Sequence, residues 1–89
     1  MARSPTKVCL QKTLKEGLRR CVYRRWEAEV KGKVLITMTT ELERMYLGNT
    51  PYPTKVAQVH RLVFSKAIDA RSSMAAMVQR RLSAGYQLK

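Results

Sequence analysis

The sequence predicts an all-α fold, and three observations carry that expectation. Leu10, Leu14, Leu18 and Cys21 recur at intervals of four, four and three residues, which lines them along one stripe of a helix. Val56, Val59, Val63, Ala67, Ala70, Met74 and Met77 repeat the same spacing with no proline between them. Between the two stripes, Gly48-Asn49-Thr50-Pro51-Tyr52-Pro53 reads as a turn, because two prolines cannot continue a helix.

Each element follows from its own residues. Ser4 before Pro5 marks a helix start: the hydroxyl caps free amides and proline fits the first turn. The first helix runs from about residue 5 to 31, with Gly17 weakening it and Gly32, between Lys31 and Lys33, ending it. Val22 and Trp26, four residues apart, extend its apolar seam. Residues 33–38 fit a strand or a buried helix equally. Thr40 stands three residues before Glu43 in the capping-box arrangement, and Leu42, Met45 and Tyr46 follow at helical spacing, so a short helix spans about 40–47. Thr54 caps a third helix reaching about Ala84, and Ser72-Ser73 leaves open whether it is one helix or two. Gly85 closes it, and residues 85–89 are a tail. The turn at 48–53 folds the short and long helices into a hairpin. A chain of 89 residues supports one small domain, 1–89, and the apolar seam of so thin a helical unit is completed by neighbouring subunits.

Charge narrows the function. Lys and Arg number 18 against 6 Asp and Glu, a net +12, yet 45% of the residues are apolar, too many for a disordered basic tail. Residues 1–25 carry +7, residues 26–53 carry −1 and residues 54–89 carry +6, so two basic arms flank a neutral middle. Cys9 and Cys21 would lie roughly 18 Å apart on one helix, too far for a disulfide. No apolar run approaches the roughly 18 residues of a membrane span. Lys7, Lys12, Lys15, Arg19 and Arg20 interrupt every secretory apolar core.

Catalysis finds no support. His60 has no cysteine or acid at triad or metal-ligand spacing, Glu41 and Glu43 are explained by a helix start, and four scattered glycines make no phosphate loop. No catalytic residue, metal or cofactor is expected.

The densest candidate is Arg19-Arg20-Cys21-Val22-Tyr23-Arg24-Arg25-Trp26. Guanidinium forks match phosphate, and an aromatic face accepts an unpaired base, so the segment suits RNA. The expected RNA-binding set is Lys7, Lys12, Lys15, Arg19, Arg20, Tyr23, Arg24 and Arg25, with Arg80 and Arg81 as a second anchor. The expected role is a non-catalytic structural subunit of a large ribonucleoprotein, a small mitochondrial ribosomal protein touching rRNA through basic helices and neighbouring protein subunits through its apolar seams. The acid-poor, arginine-rich residues 1–25 point to the mitochondrion, with the cytoplasm as the alternative and secretion not expected.

Two resemblances supply alternatives. Residues 33–38, the segment 40–47 and a helix from Thr54 resemble the order of a ribbon-helix-helix repressor, which implies a twofold DNA-binding regulator reading the major groove through Lys33, Leu35 and Thr37. Val22-Tyr23-Arg24 resembles the Leu-Tyr-Arg tripeptide of mitochondrial assembly and respiratory-complex accessory proteins. That alternative is an accessory subunit of an inner-membrane respiratory or ATP synthase complex, its basic arm meeting anionic lipid.

Overall fold

From Arg25 to Lys31 charged and apolar residues alternate one by one, Arg-Trp-Glu-Ala-Glu-Val-Lys, and a period of two belongs to a strand with one buried face. In the computed structural model, which describes residues 7–17, 20–45 and 51–89, this run is the second half of a twelve-residue strand. Trp26, Ala28 and Val30 are buried on one side, while Glu27 and Glu29 face the other. Lys31 then pairs with Val34 across a two-residue turn whose first residue, Gly32, has φ +61°. Lys33 keeps a negative φ, so the turn has the type II′ form that suits the twist of a hairpin. Val34, Ile36, Thr37, Thr39 and Thr40 follow, β-branched residues that pack well on a pleated surface.

The elements are β1 (Lys7–Glu16), β2 (Arg20–Lys31), β3 (Val34–Met45), β4 (Tyr52–Pro53), β5 (Gln58–Val63), α1 (Ala67–Ser83) and β6 (Gln87–Leu88). They form one antiparallel sheet in the order β4-β3-β2-β1-β6, with β5 also on β3. The short β4 covers Leu42 and Glu43 on β3, and β5 covers Val34 to Thr39. Pro53 thus sits on an edge, where its missing amide costs the ladder nothing.

α1 lies across one face of the sheet. Ala70 and Met74 meet Leu10, Trp26, Ala28, Val30 and Leu35, and Val8, Phe64, Met77, Val78 and Tyr86 close the margins. The helix ends in a Schellman motif: Tyr86 N–H donates to Arg81 O at 3.0 Å, Gly85 N–H to Leu82 O at 3.2 Å, and Gly85 has φ +99°. The chain then returns to the sheet edge, where Leu88 pairs with Leu10 and Lys89 N–H donates to Cys9 O at 3.0 Å.

This architecture corrects the all-α expectation. The segment expected as a helix from 5 to 31 is β1 and β2; Leu14, expected on the apolar stripe, is 40% exposed, and Gly32 is a hairpin turn rather than a helix end. The segment 40–47 continues β3 as far as Met45, so Thr40 and Glu43 form no capping box. Residues 54–63 are a loop and β5, and only Ala67–Ser83 is helical, unbroken at Ser72-Ser73. The helical stripe is realised from Ala70 onward, whereas Val56, Val59 and Val63 are exposed on the loop and strand. Among the described residues no helical hairpin forms, because the segments expected as helices before α1 are strands and a loop. The ribbon-helix-helix order fails for the same reason, and β3 has no free edge for a twofold mate, being paired with β2 and β5. Residues 85–89, expected as a tail, include β6. Ser4-Pro5, Leu18, Arg19 and Tyr46 to Thr50 lie outside the described residues.

Candidate nucleic-acid interface

Strand periodicity decides where the basic cluster goes. On β2 a step of one residue changes face, so Arg24 and Arg25 cannot act together as they would on a helix. The row Leu10, Trp26, Thr39 lies beneath the end of α1, where the Arg81 guanidinium carbon sits 4.4 Å from the centre of the Trp26 ring. Past this row the sheet continues without the helix above it.

On the helix side of that projecting end, Lys12, Arg24 and Glu41 share one row. Arg24 Nη2 donates to Glu41 Oε1 at 3.2 Å, and Lys55 from the β4–β5 loop reaches Glu41 Oε2 at 3.1 Å. Lys55 and then Arg24 hold the Glu41 carboxyl below the ordinary glutamate range. The bond to Glu41, and then the neighbouring Tyr86 hydroxyl, raise the Arg24 guanidinium above its ordinary value. Arg20 Nε pairs with Glu43 at 2.7 Å, and Lys15 stands in register with Val22. Lys12 Nζ donates to Ala84 O at 2.7 Å, a cation at the negative end of α1.

The opposite face carries a second set. Arg25 Nη2 donates to Gln11 Oε1 at 3.3 Å, and the Arg44 guanidinium lies 5.8 Å from the Tyr23 ring centre. Burial, and then a hydrogen bond with Cys21, pushes the Tyr23 phenol above its ordinary value.

Among the described residues the projecting end therefore gathers Lys12, Lys15, Arg20, Arg24, Arg25, Arg44, Lys55, Arg80 and Arg81 against Glu16, Glu41 and Glu43. Of the expected set, Lys12, Lys15, Arg20, Tyr23, Arg24, Arg25, Arg80 and Arg81 come together here, on two faces instead of one. Lys7 does not, since it pairs with Glu29 near the other end of the sheet. Arg19 lies outside the described residues. Sequence reasoning missed Arg44 and Lys55, and with a strand register Arg44 was within reach: it stands opposite Cys21, inside the basic run.

Trp26, 1% exposed, is a core residue and offers no face to a base. Cys9 and Cys21 are free thiols; Cys9 lies opposite Glu27, six strand positions or roughly 20 Å from Cys21. Burial raises the Cys9 thiol, with Glu27 adding to the effect. No group of three or more His, Cys, Asp or Glu side chains suited to a metal occurs among the described residues, and no helix among them is long and apolar enough to cross a membrane. Against protein-family models, curated proteins and solved structures, the chain finds no match.

Proposed function

We propose that this chain is a non-catalytic RNA-binding subunit of a ribonucleoprotein, a small ribosomal protein of the mitochondrion, and that it grips RNA with the projecting end of its sheet. Nine cations against three carboxylates carry the reading, six of the cations on strands and spread over both sheet faces, the others on the β4–β5 loop and the last turn of α1. An object with cations on two sides fits between phosphate backbones, where counterion release rewards each contact. Tyr23, half-buried between Arg44 and Thr13, adds an aromatic group on one of those faces. The organellar setting rests on the acid-poor composition of residues 1–25.

Fluorescence anisotropy with a labelled dodecauridylate between about 50 and 200 mM salt tests the mechanism. Affinity is expected to fall steeply with salt, and the triple variant Arg20→Gln, Arg25→Gln, Arg44→Gln to flatten the log–log slope by about 2 units. A salt-independent affinity, or an unchanged slope in the variant, overturns it. Co-sedimentation with anionic vesicles in preference to RNA would instead favour the respiratory-complex accessory subunit.

A further inference from the structure

At the end of α1, a cleft of about 470 Å³ opens between the sheet and the β4–β5 loop, lined by Arg24, Lys55, Arg81, Glu41 and Tyr86 among others. Three cations face one carboxylate there. Each oxygen of that carboxylate is taken by a different cation, Oε1 by Arg24 and Oε2 by Lys55, which is how a bridging anion sits between two donors. The third cation, Arg81, is fixed by stacking on Trp26, and its shielded Nε finds no hydrogen-bond partner among the described residues. Two donors sharing one carboxylate, with a third cation held beside them, leave the cleft under-supplied with negative charge.

We propose that this cleft is a phosphate subsite for one phosphodiester of a bound nucleic-acid strand, and that Glu41 is the internal anion the phosphodiester displaces. The inference rests on the RNA reading and names where a strand is gripped. Phosphate offers several acceptor oxygens to Arg24, Lys55 and Arg81 at once, whereas the Glu41 carboxylate reaches only the first two. The Lys55 side chain, 71% exposed and carried on a loop, moves with the incoming group at little cost. Glu41 also acts as a filter: an isolated small anion must expel it unaided, while a phosphate within a strand already anchored by Arg20, Arg25 and Arg44 arrives at high effective concentration.

Two probes on the full chain test this, dodecauridylate by anisotropy and inorganic phosphate by NMR shifts of the arginine side chains. Glu41→Gln is expected to tighten dodecauridylate binding about five- to tenfold and to strengthen the phosphate response, while Lys55→Gln weakens both about threefold. Phosphate should also raise the melting temperature of Glu41→Gln more than that of the wild type, which keeps the test readable if the variant is less stable. Unchanged or weaker binding by Glu41→Gln, together with wild-type binding by Lys55→Gln, overturns the inference. If those two variants change nothing but the Arg20, Arg25, Arg44 triple loses affinity, the RNA reading stands and the cleft falls. If dodecauridylate never binds but phosphate still responds to Glu41→Gln, the RNA reading falls and the cleft stands as a phosphate site.

Discussion

The two ends of the sheet share a backbone and differ in what their inward residues require. Under α1, the strands turn Leu10, Trp26, Ala28, Val30 and Leu35 toward the helix; two rows beyond Trp26, the same strands turn Lys12, Arg24 and Glu41 to the same side. Charge excess alone does not separate the ends. The covered end also has seven described cations, Lys7, Lys31, Lys33, Arg61, Lys66, Arg71 and Lys89, against Glu27, Glu29 and Asp69. What differs is that at the covered end the helix-facing side of the sheet is apolar and the charges lie on its other face and around its rim, whereas at the projecting end both sheet faces carry charge. A sheet end that no helix covers is marginal alone, so the gripping end is held in shape by the packed end.

The largest expected effect breaks the packed end. Trp26→Ala removes the biggest fully buried side chain and the platform for Arg81, and should cost about 3–5 kcal/mol in denaturant unfolding. Loss of RNA affinity should follow it, although Trp26 touches no solvent. Gly32→Ala comes next: the space around a new Cβ is open, but φ +61° disfavours an L side chain, so about 1–2 kcal/mol is expected from the same measurement.

A smaller effect belongs to pH. Glu41 titrates below its ordinary value of 4.5, so its ionised form stabilises the fold above that value and the contribution is lost as pH falls through the lowered native value. Melting curves from pH 6 down to about pH 3 should therefore fall less steeply for Glu41→Gln than for the wild type. Smallest for stability is Lys15→Gln, on an exposed strand end: unfolding within about 0.5 kcal/mol of wild type, with the salt slope for dodecauridylate reduced by about 0.7. A change in stability without a change in slope would erase the division between the ends.

The sequence disclosed the parts whose signal was not shared between periods. Ala70, Met74 and Met77, and Gly85 after them, read as a helix and its stop, and α1 bears this out from Ala67. Trp26 read as core and is core. Leu10 and Leu14 misled because intervals of four are even, so they satisfy a strand face as well as a helix stripe; the β-bulge between Thr13 and Lys15 then put Leu14 out of register. Arg25 to Lys31 held the deciding alternation, and Lys31-Gly32-Lys33 the hairpin turn, each visible only if tested against a period of two. The site was half legible: the basic residues were found, but their distribution over two faces, and the link from Glu41 to Lys55, follow from strand register that spacing along the chain does not encode.

β6 joins the sheet from the far end of the chain. The β1–β2 and β2–β3 pairings link consecutive strands and β3–β5 skips only the short β4, but Leu88 meets Leu10 only after nearly the whole chain is ordered. Loop-closure entropy makes such a pairing late to form and early to open, while the hairpins zip locally. Tyr86 lies just inside this fastening, lining the cleft with Arg24 and set beside Arg81. In time rather than in space, the last contact to close is the one that finishes the cleft, so a partial opening of two residue pairs would loosen the grip on a strand without unfolding the sheet that presents it.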